Sequence, residues 1–452
     1  MPHKPRAAII LAAGHGTRMK SERAKPLHPV AGRSMLDWSL DLADTSGATR
    51  KVVVWGAQSP AIRDAAEAAG AIPALQDPPR GTGDAVKQAA EALGDFDGDV
   101  IVLYADTPLI RPETVERVFD ALSGGASVAV LGFEPDEPGQ YGRLIETGHG
   151  DLDAIVEAAE ASPEQLQVRL CNSGVLACQS KVLFELLSKI TNDNAKGEYY
   201  LTDLVGLARA RGLTAKAVRA PEAEVLGVNS RLDLSQAEAA WQDRRRREAM
   251  EAGVTLIAPD TVVFSHDTVI EADVTIEPNV VFGPGVTVRS GAVIRAFSHL
   301  EGAHVAGGCE VGPYARLRPG AVLETGARVG NFVEVKKARL GEGAKANHLS
   351  YIGDGDVGAH ANIGAGTIFC NYDGFFKNKT IVGEGAFIGS NSSLVAPVTI
   401  GKGAMTASGT VVTDDVPDDA LALGRAKQVV KDGWAARFRK AMQARKDKQK
   451  KD

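Results

Sequence analysis

The 452-residue sequence predicts two folds in one chain, a doubly wound α/β domain followed by a parallel β-solenoid. Three observations predict this. Up to about residue 228, short apolar runs alternate with helical segments, as in a parallel sheet with strands buried on both faces. From Val269 onward, aliphatic or aromatic residues recur every six positions, a period that neither a half-buried strand nor a helix produces. Glycine supplies 49 residues without the every-third spacing of collagen, so the excess belongs to turns and loops.

The elements follow in order. Ala7–Ala13, Lys51–Trp55 and Val100–Tyr104 read as buried strands, and Met35–Ala43, Ala61–Ala69 and Gly83–Leu93 as the helices between them. Such sheets bind ligands at the carboxyl ends of their strands. Asn229–Ala252 holds no internal Gly or Pro and reads as one semi-rigid connecting helix, with Arg244–Arg247 a solvated face. The six-residue series runs Ile270, Ile276, Phe282, Val288, Ile294, Leu300. It slips, resumes at Val311, Leu317, Leu323, Val329 and Val335, and returns at Val382, Ile388, Leu394, Ile400 and Val412, with Thr406 off-type. One inward side chain per short strand explains it. The expected organisation is a nucleotide-handling domain over 1–228, a helical linker over 229–252, a hexapeptide-repeat domain over 253–430 and a basic tail over 431–452.

Charge and composition exclude several classes. The net charge of −6 argues against a general nucleic-acid binder. The balance is uneven, because residues 431–452 carry nine Lys/Arg against three Asp. The tail is therefore +6 and the remainder −12; a solvated, partly helical tail is expected, ahead of one that grips nucleic acid or anionic lipid. No apolar run approaches the ~20 residues that span a bilayer, and Met1–Arg6 leads straight into a strand, so no stable membrane insertion and a cytoplasmic location are expected. Cys171, Cys178, Cys309 and Cys370 are scattered without a CxxC pair, so neither a disulfide framework nor a cysteine zinc site is indicated.

The first strand runs into Leu11-Ala12-Ala13-Gly14-His15-Gly16-Thr17-Arg18-Met19. The dinucleotide fingerprint would need glycine at Met19, and the P-loop would need glycine immediately before Lys20. The physics is nonetheless shared, since a glycine loop exposes N–H groups to phosphate oxygens, and Arg18 and Lys25 add positive charge. By itself the loop suits a plain β-turn equally well. The whole string with Lys25 resembles the signature of sugar-phosphate nucleotidylyltransferases. Gln76, Gly81-Thr82-Gly83 and Leu103-Tyr104-Ala105-Asp106-Thr107-Pro108-Leu109 resemble that family's next blocks, and Gly142, Glu157, Asn172 and Asn229 continue them in order.

Joined to the hexapeptide repeat, the pattern resembles the bacterial family of bifunctional N-acetylglucosamine-1-phosphate uridyltransferase/glucosamine-1-phosphate acetyltransferases. The resemblance implies a Rossmann-like first domain and a left-handed parallel β-helix. It implies UTP and sugar contacts from Leu11, Ala12, Ala13, Gly14, Gly16, Thr17, Arg18, Lys25, Gln76, Gly81, Thr82, Tyr104, Gly142, Glu157, Asn172 and Asn229. Arg18 and Lys25 would neutralise the triphosphate, and Asp106 and Asn229 would hold Mg²⁺. The chain departs from the family's pattern at Ala24, where proline is usual, at Ala105, where glycine is usual, and at Ser408, where alanine is frequent.

Acetylating an amino sugar needs a general base, and histidine fits by its pKa. His348 stands in Lys345–Gly353, which interrupts the repeat; an interruption reads as a loop, and a lone loop histidine is more often structural. The resemblance makes His348 the base, and assigns Arg318, Lys336, Tyr351 and Asn362 to glucosamine 1-phosphate. It assigns Ala365, Asn371, Tyr372, Ser390, Ser408 and Arg425 to acetyl-CoA, and implies a homotrimer. Two other readings stay open: a nucleotidylyltransferase whose solenoid is only a scaffold, and an acyltransferase using a longer acyl donor.

Overall fold

A computed structural model describes residues 4–194 and 196–449. Two compact units divide them, one covering the described residues to Ala249 with Phe264–His266, the other Met250–Val263 and the described residues from Asp267.

The first unit is built on nine strands: β1 (Arg6–Leu11), β2 (Ala48–Gly56), β3 (Ile72–Gln76), β4 (Asp99–Tyr104), β5 (Val128–Phe133), β6 (Arg143–Glu146), β7 (Leu152–Val156), β8 (Cys171–Gln179) and β9 (Ala215–Arg219). The main sheet order is β9-β5-β8-β4-β1-β2-β3, with β6 and β7 paired beside β8. Ala7, Ala8, Ile9 and Ile10 are each fully buried because alternate side chains enter separate cores on the two faces. Ala7 and Ile9 join Val52, Val54, Val100 and Val102 on one side; Ala8 and Ile10 join Val53, Ile101 and Leu103 on the other. From β1 the chain winds outward through β2 and β3, then crosses back to β4 on β1's other edge. The carboxyl ends of β1 and β4 therefore flank a topological switch point, the place where such sheets bind ligands.

Three details differ from the sequence expectation. The sheet is mixed, since β8 runs antiparallel to both β4 and β5. The β6–β7 hairpin reverses the chain before β8 enters, and β8 thereby carries Asn172 toward the end of β4. The stretch expected as one helix over 83–93 is two, Thr82–Gln88 and Ala90–Leu93, with the break at Ala89. The connecting helix runs from Arg231 to Glu251.

The second unit is a left-handed parallel β-helix with three sheets of ten, eight and eight short strands. Consecutive strands pass from sheet to sheet, and each pairs in parallel with the strand one coil on. Ile276, Val288, Ile294, Leu300, Val311, Leu323, Val329, Val335, Ile388 and Leu394 all point inward at 0 % exposure. The slips in the six-residue series arise where Val305, Leu340 and Val357 take the inward position after a step shortened by one residue, leaving the coil intact. Off-type Thr406 is buried, but its hydroxyl accepts from the Gly389 amide at 2.9 Å, which removes the cost of enclosing it.

Candidate functional sites

A cavity of about 360 Å³ opens at the switch point of the first unit. Leu11, Ala12, Ala13, Gly14 and Lys25 line it from the first loop, Gln76, Gly81 and Thr82 from the second, and Tyr104 and Asp106 from the end of β4. A Cβ on Gly14 would meet nothing within 4 Å, so the loop presents open backbone to the cavity. Gly16 has a different task. It lies at φ +62°, and a Cβ there would come within 2.7 Å of the Lys25 Cβ, so glycine lets the Lys25 segment close against the loop. Thr17 and Arg18 lie in the single 3-10 turn that follows, and Arg18 is exposed.

Lys25 is the hub of the charged centre. Its ammonium donates to Asp106 Oδ2 at 2.5 Å and to Asn229 Oδ1 at 3.1 Å, although the three residues come from distant parts of the chain. Asn229 is held in turn, because the Val228 amide donates to the Asp106 carbonyl at 2.8 Å and the Asn229 amide to Asp233 Oδ2 at 2.9 Å. The carboxylate and amide oxygens converge on one cation, and hard oxygens of this kind also suit Mg²⁺. No group of three His, Cys, Asp or Glu is gathered among the described residues, so this pair would hold such an ion together with phosphate oxygens.

The other residues singled out in this unit are held by local hydrogen bonds, and Gly142, Glu157 and Asn172 are not among those lining the cavity. Gln76 is buried, and its amide nitrogen donates to the Gly81 carbonyl and to Asp84. Tyr104 hydrogen-bonds with Thr82, and burial, then the Asp106 and Glu157 charges, push its phenol well above the ordinary value. The Asn172 amide donates to the Gly142 carbonyl at 2.8 Å, and Asn172 Oδ1 accepts from Gly174, whose backbone packs on the Tyr104 ring. Glu157 Oε1 accepts from the Thr202 hydroxyl at 3.1 Å. Sequence reasoning missed the 198–201 segment. Glu198 lines the cavity, Tyr199 O accepts from the Gly83 amide at 2.8 Å, and Thr82 Oγ1 accepts from the Leu201 amide. Gly83 thus serves packing against Tyr199, and it does not line the cavity.

On the solenoid, His348 is not in a loop. Lys345–His348 and Tyr351–Gly353 are strands of adjoining sheets, joined by a tight corner at Leu349 with φ +50°. Ala346 replaces a larger inward residue, which breaks the written pattern without breaking the coil. The segment that does leave the coil is the loop after Cys370, closed by a Tyr372–Lys377 bridge. His348 is exposed, and Asn331 Oδ1 accepts from its Nδ1 at 2.8 Å. That bond orients the imidazole through Nδ1 and leaves Nε2 outside it.

Arg318, Lys336 and Tyr351 gather on the next sheet, where Glu334 accepts from Arg318 at 2.7 Å and pairs across the ladder with Tyr351. A fourth residue, missed in the sequence, is Lys377 on the loop. Hydrogen bonding to and repulsion by the Lys377 ammonium, then repulsion from Arg318, lower the Lys336 amine below the ordinary lysine value. Three cationic side chains thus gather on this face of the coil. Asn362 lies apart, in the sheet that carries His348, paired with Lys345 and Phe387.

Ala365, Ser390 and Ser408 occupy the same corner as His348 in successive coils. The Gly366 amide donates to His348 O, the Asn391 amide to Ala365 O and the Gly409 amide to Ser390 O. Arg425 Nη1 donates to Ser408 O at 3.1 Å and closes the row. At the ~4.8 Å strand spacing, the ladder from His348 to Ser408 spans roughly 14 Å. Asn371 donates to Asp354 Oδ2 at 2.6 Å beside Gly353, and Tyr372 is exposed on the loop.

These two sites, on these two folds, define a nucleotidyltransferase joined to a hexapeptide-repeat transferase. The family model for MobA-like NTP transferase domains matches residues 8–253, and that for bacterial transferase hexapeptide repeats matches 267–302 and 379–414. The chain is 64% identical over 443 residues to the bifunctional protein GlmU of Maricaulis maris, with 98% of each chain covered. It is 59% identical to that of Hyphomonas neptunium, covering 98% of this chain and 96% of the relative, and 58% identical to that of Caulobacter vibrioides, covering 99% and 98%. The chain belongs to the GlmU family of bifunctional transferases.

Proposed function

We propose that this chain makes UDP-N-acetylglucosamine in two steps at two separate sites. At the solenoid site the 2-amino group of glucosamine 1-phosphate attacks the thioester carbonyl of acetyl-CoA. The C–S bond breaks, the CoA thiolate leaves, and His348 Nε2 takes the proton lost by the ammonium. Asn331 holds the imidazole in the required tautomer, while Arg318, Lys336 and Lys377 bind the phosphate and Tyr351 and Asn362 the sugar. The corner row from Ala365 to Arg425, with Asn371 and Tyr372, receives the extended donor. Hydrogen bonding of Asn331 to His348 beside a three-cation cluster carries this reading.

At the first site a phosphate oxygen of N-acetylglucosamine 1-phosphate attacks the α-phosphorus of UTP and pyrophosphate leaves. The nucleophile is already ionised, so no base is required, and the chain's task is placement and charge neutralisation. Arg18 and Lys25 neutralise phosphate charge, the 11–17 loop offers N–H donors, and Gln76, Gly81 and Thr82 contact uracil. Gly142, Glu157 and Asn172 contact the sugar. Mg²⁺, when bound by Asp106 and Asn229, supplies further neutralisation of the triphosphate.

The working form is a cytoplasmic homotrimer in this reading, and no helix among the described residues is long and apolar enough to cross a membrane. The test is incubation of purified protein with glucosamine 1-phosphate, acetyl-CoA, UTP and Mg²⁺, omitting one reagent at a time. UDP-N-acetylglucosamine should form only in the complete mixture, and N-acetylglucosamine 1-phosphate should accumulate without UTP. Uridylylation of supplied N-acetylglucosamine 1-phosphate without any acetylation would reduce the solenoid to a scaffold.

A further inference from the structure

The carboxamide of Gln76 is held in one of its two orientations, and one of the groups that hold it stands outside the cavity. Gln76 closes strand β3, lines the cavity of the first site and is 4% exposed. Its Nε2 donates to the Gly81 carbonyl at 3.0 Å and to Asp84 Oδ2 at 2.8 Å. An amide nitrogen carries two hydrogens, so both are used, and carbonyl and carboxylate oxygens only accept. Turning the amide over would set Oε1 against those same two oxygens and leave both without their donor. Among the described residues no donor meets Oε1, so this oxygen is the unengaged polar atom of a side chain that lines the cavity.

Of the two partners, the Gly81 carbonyl belongs to the backbone and also accepts from the Ala85 amide at 3.1 Å. Asp84 is the one that a side chain supplies. It does not line the cavity, and it lies in the first turn of the Thr82–Gln88 helix. The start of that helix is clamped to the 198–201 segment, since the Gly83 amide donates to Tyr199 O and the Leu201 amide to Thr82 Oγ1. Asp84 Oδ1 accepts from Gln88 Nε2 at 3.3 Å, which leaves Oδ2 for Gln76. Every group in this chain of contacts comes from the first unit of a single chain.

Pyrimidine bases differ at the atom that such an oxygen would meet. Uracil and thymine carry a hydrogen on N3 between two carbonyls, whereas cytosine has a bare N3 acceptor beside an amino group. An acceptor locked toward the base favours the first kind, while an amide free to turn would serve both. Resting on the reading of this cavity as the UTP site, we propose that Asp84 is a positioning residue for base choice. It locks Gln76 with Oε1 presented to the ligand and thereby confines the site to pyrimidines that carry an N3 hydrogen. In this role Asp84 touches neither the base nor the phosphates.

The measurement is kcat/KM for UTP divided by kcat/KM for CTP, read as pyrophosphate released in the presence of N-acetylglucosamine 1-phosphate and Mg²⁺. Full-length wild type and Asp84→Asn are compared. Asparagine offers both a donor and an acceptor, so Gln76 can turn, and the ratio should fall by at least about tenfold, with kcat/KM for CTP rising in absolute terms. Acetylation of glucosamine 1-phosphate at the other site should be unchanged. Equal losses with both nucleotides, leaving the ratio where it was, would overturn the proposal, since Asp84 would then only support the helix. A wild type that uses CTP as readily as UTP would overturn it without any variant. A wild type that turns over neither nucleotide would overturn the UTP reading itself, and so the two failures are told apart.

Discussion

Asn331 and His348 face each other across one rung of the ladder, and in the proposed reaction that rung would orient the base. Asn331→Ala leaves the imidazole present but frees its tautomer and ring orientation. Acetylation should slow by about one to two orders of magnitude with little change in KM, and the pH–rate profile should shift, whereas a merely structural change would lower the amount of folded protein instead. Lys25 gives a second residue-scale prediction. Its ammonium donates to Asp106 and Asn229, so it would compete with a metal bound there for their oxygens. Lys25→Met should slow uridylyl transfer, yet the nucleotide-free protein should bind Mn²⁺ roughly tenfold more tightly by titration calorimetry, because the competing charge is gone. An unchanged Mn²⁺ affinity would refute the competition. At this scale the sequence was readable where residues follow one another, as from Leu11 to Arg18. Lys377 was not, because only the fold of its loop brings it to Lys336. Glu198 and Tyr199 escaped for the same reason, since nothing local marks them as neighbours of Gly81 and Thr82.

Among elements, the six-residue period was the clearest signal, and it survived its own irregularities. A shortened step shifts the written series while the coil closes as before, since the inward position needs only an apolar side chain, or a satisfied one as at Thr406. The α/β half was less legible. Apolar runs mark strands buried on two faces but carry no direction, so antiparallel β8 could not be told from its parallel neighbours. Two substitutions test the coil. Leu317→Ala, at an inward position 1 % exposed, should cost about 2–5 kcal/mol in denaturant unfolding, reflecting both lost burial and the cavity left behind. Gly330 sits beside Asn331, and a Cβ there would collide with the Asn347 carbonyl one coil on. Gly330→Ala should therefore displace the His348 strand and depress acetylation while uridylylation persists. Equal loss of both activities would mean that the strain is not local.

The whole molecule carries two chemistries in two compact units, and nothing in either mechanism requires a residue of the other. His348→Ala alone should abolish acetylation, and Asp106→Asn alone should abolish uridylyl transfer, so neither protein should convert glucosamine 1-phosphate to the final product. Mixed in one tube, the two variants should restore UDP-N-acetylglucosamine, because N-acetylglucosamine 1-phosphate leaves one protein and enters the other. Absence of product from the mixture, with each remaining half-reaction intact, would show that the intermediate is not released.

The corner row of His348, Ala365, Ser390 and Ser408 also behaves as a graduated scale. Each coil adds one mark, so if the row receives the donor as proposed, the reach from His348 to Arg425 would change only in whole steps of ~4.8 Å. Point substitutions can roughen a mark but cannot move the ends. Retuning such an enzyme to a donor of another length would demand the gain or loss of an entire coil, a quantised change that keeps the ruler's divisions while altering its total.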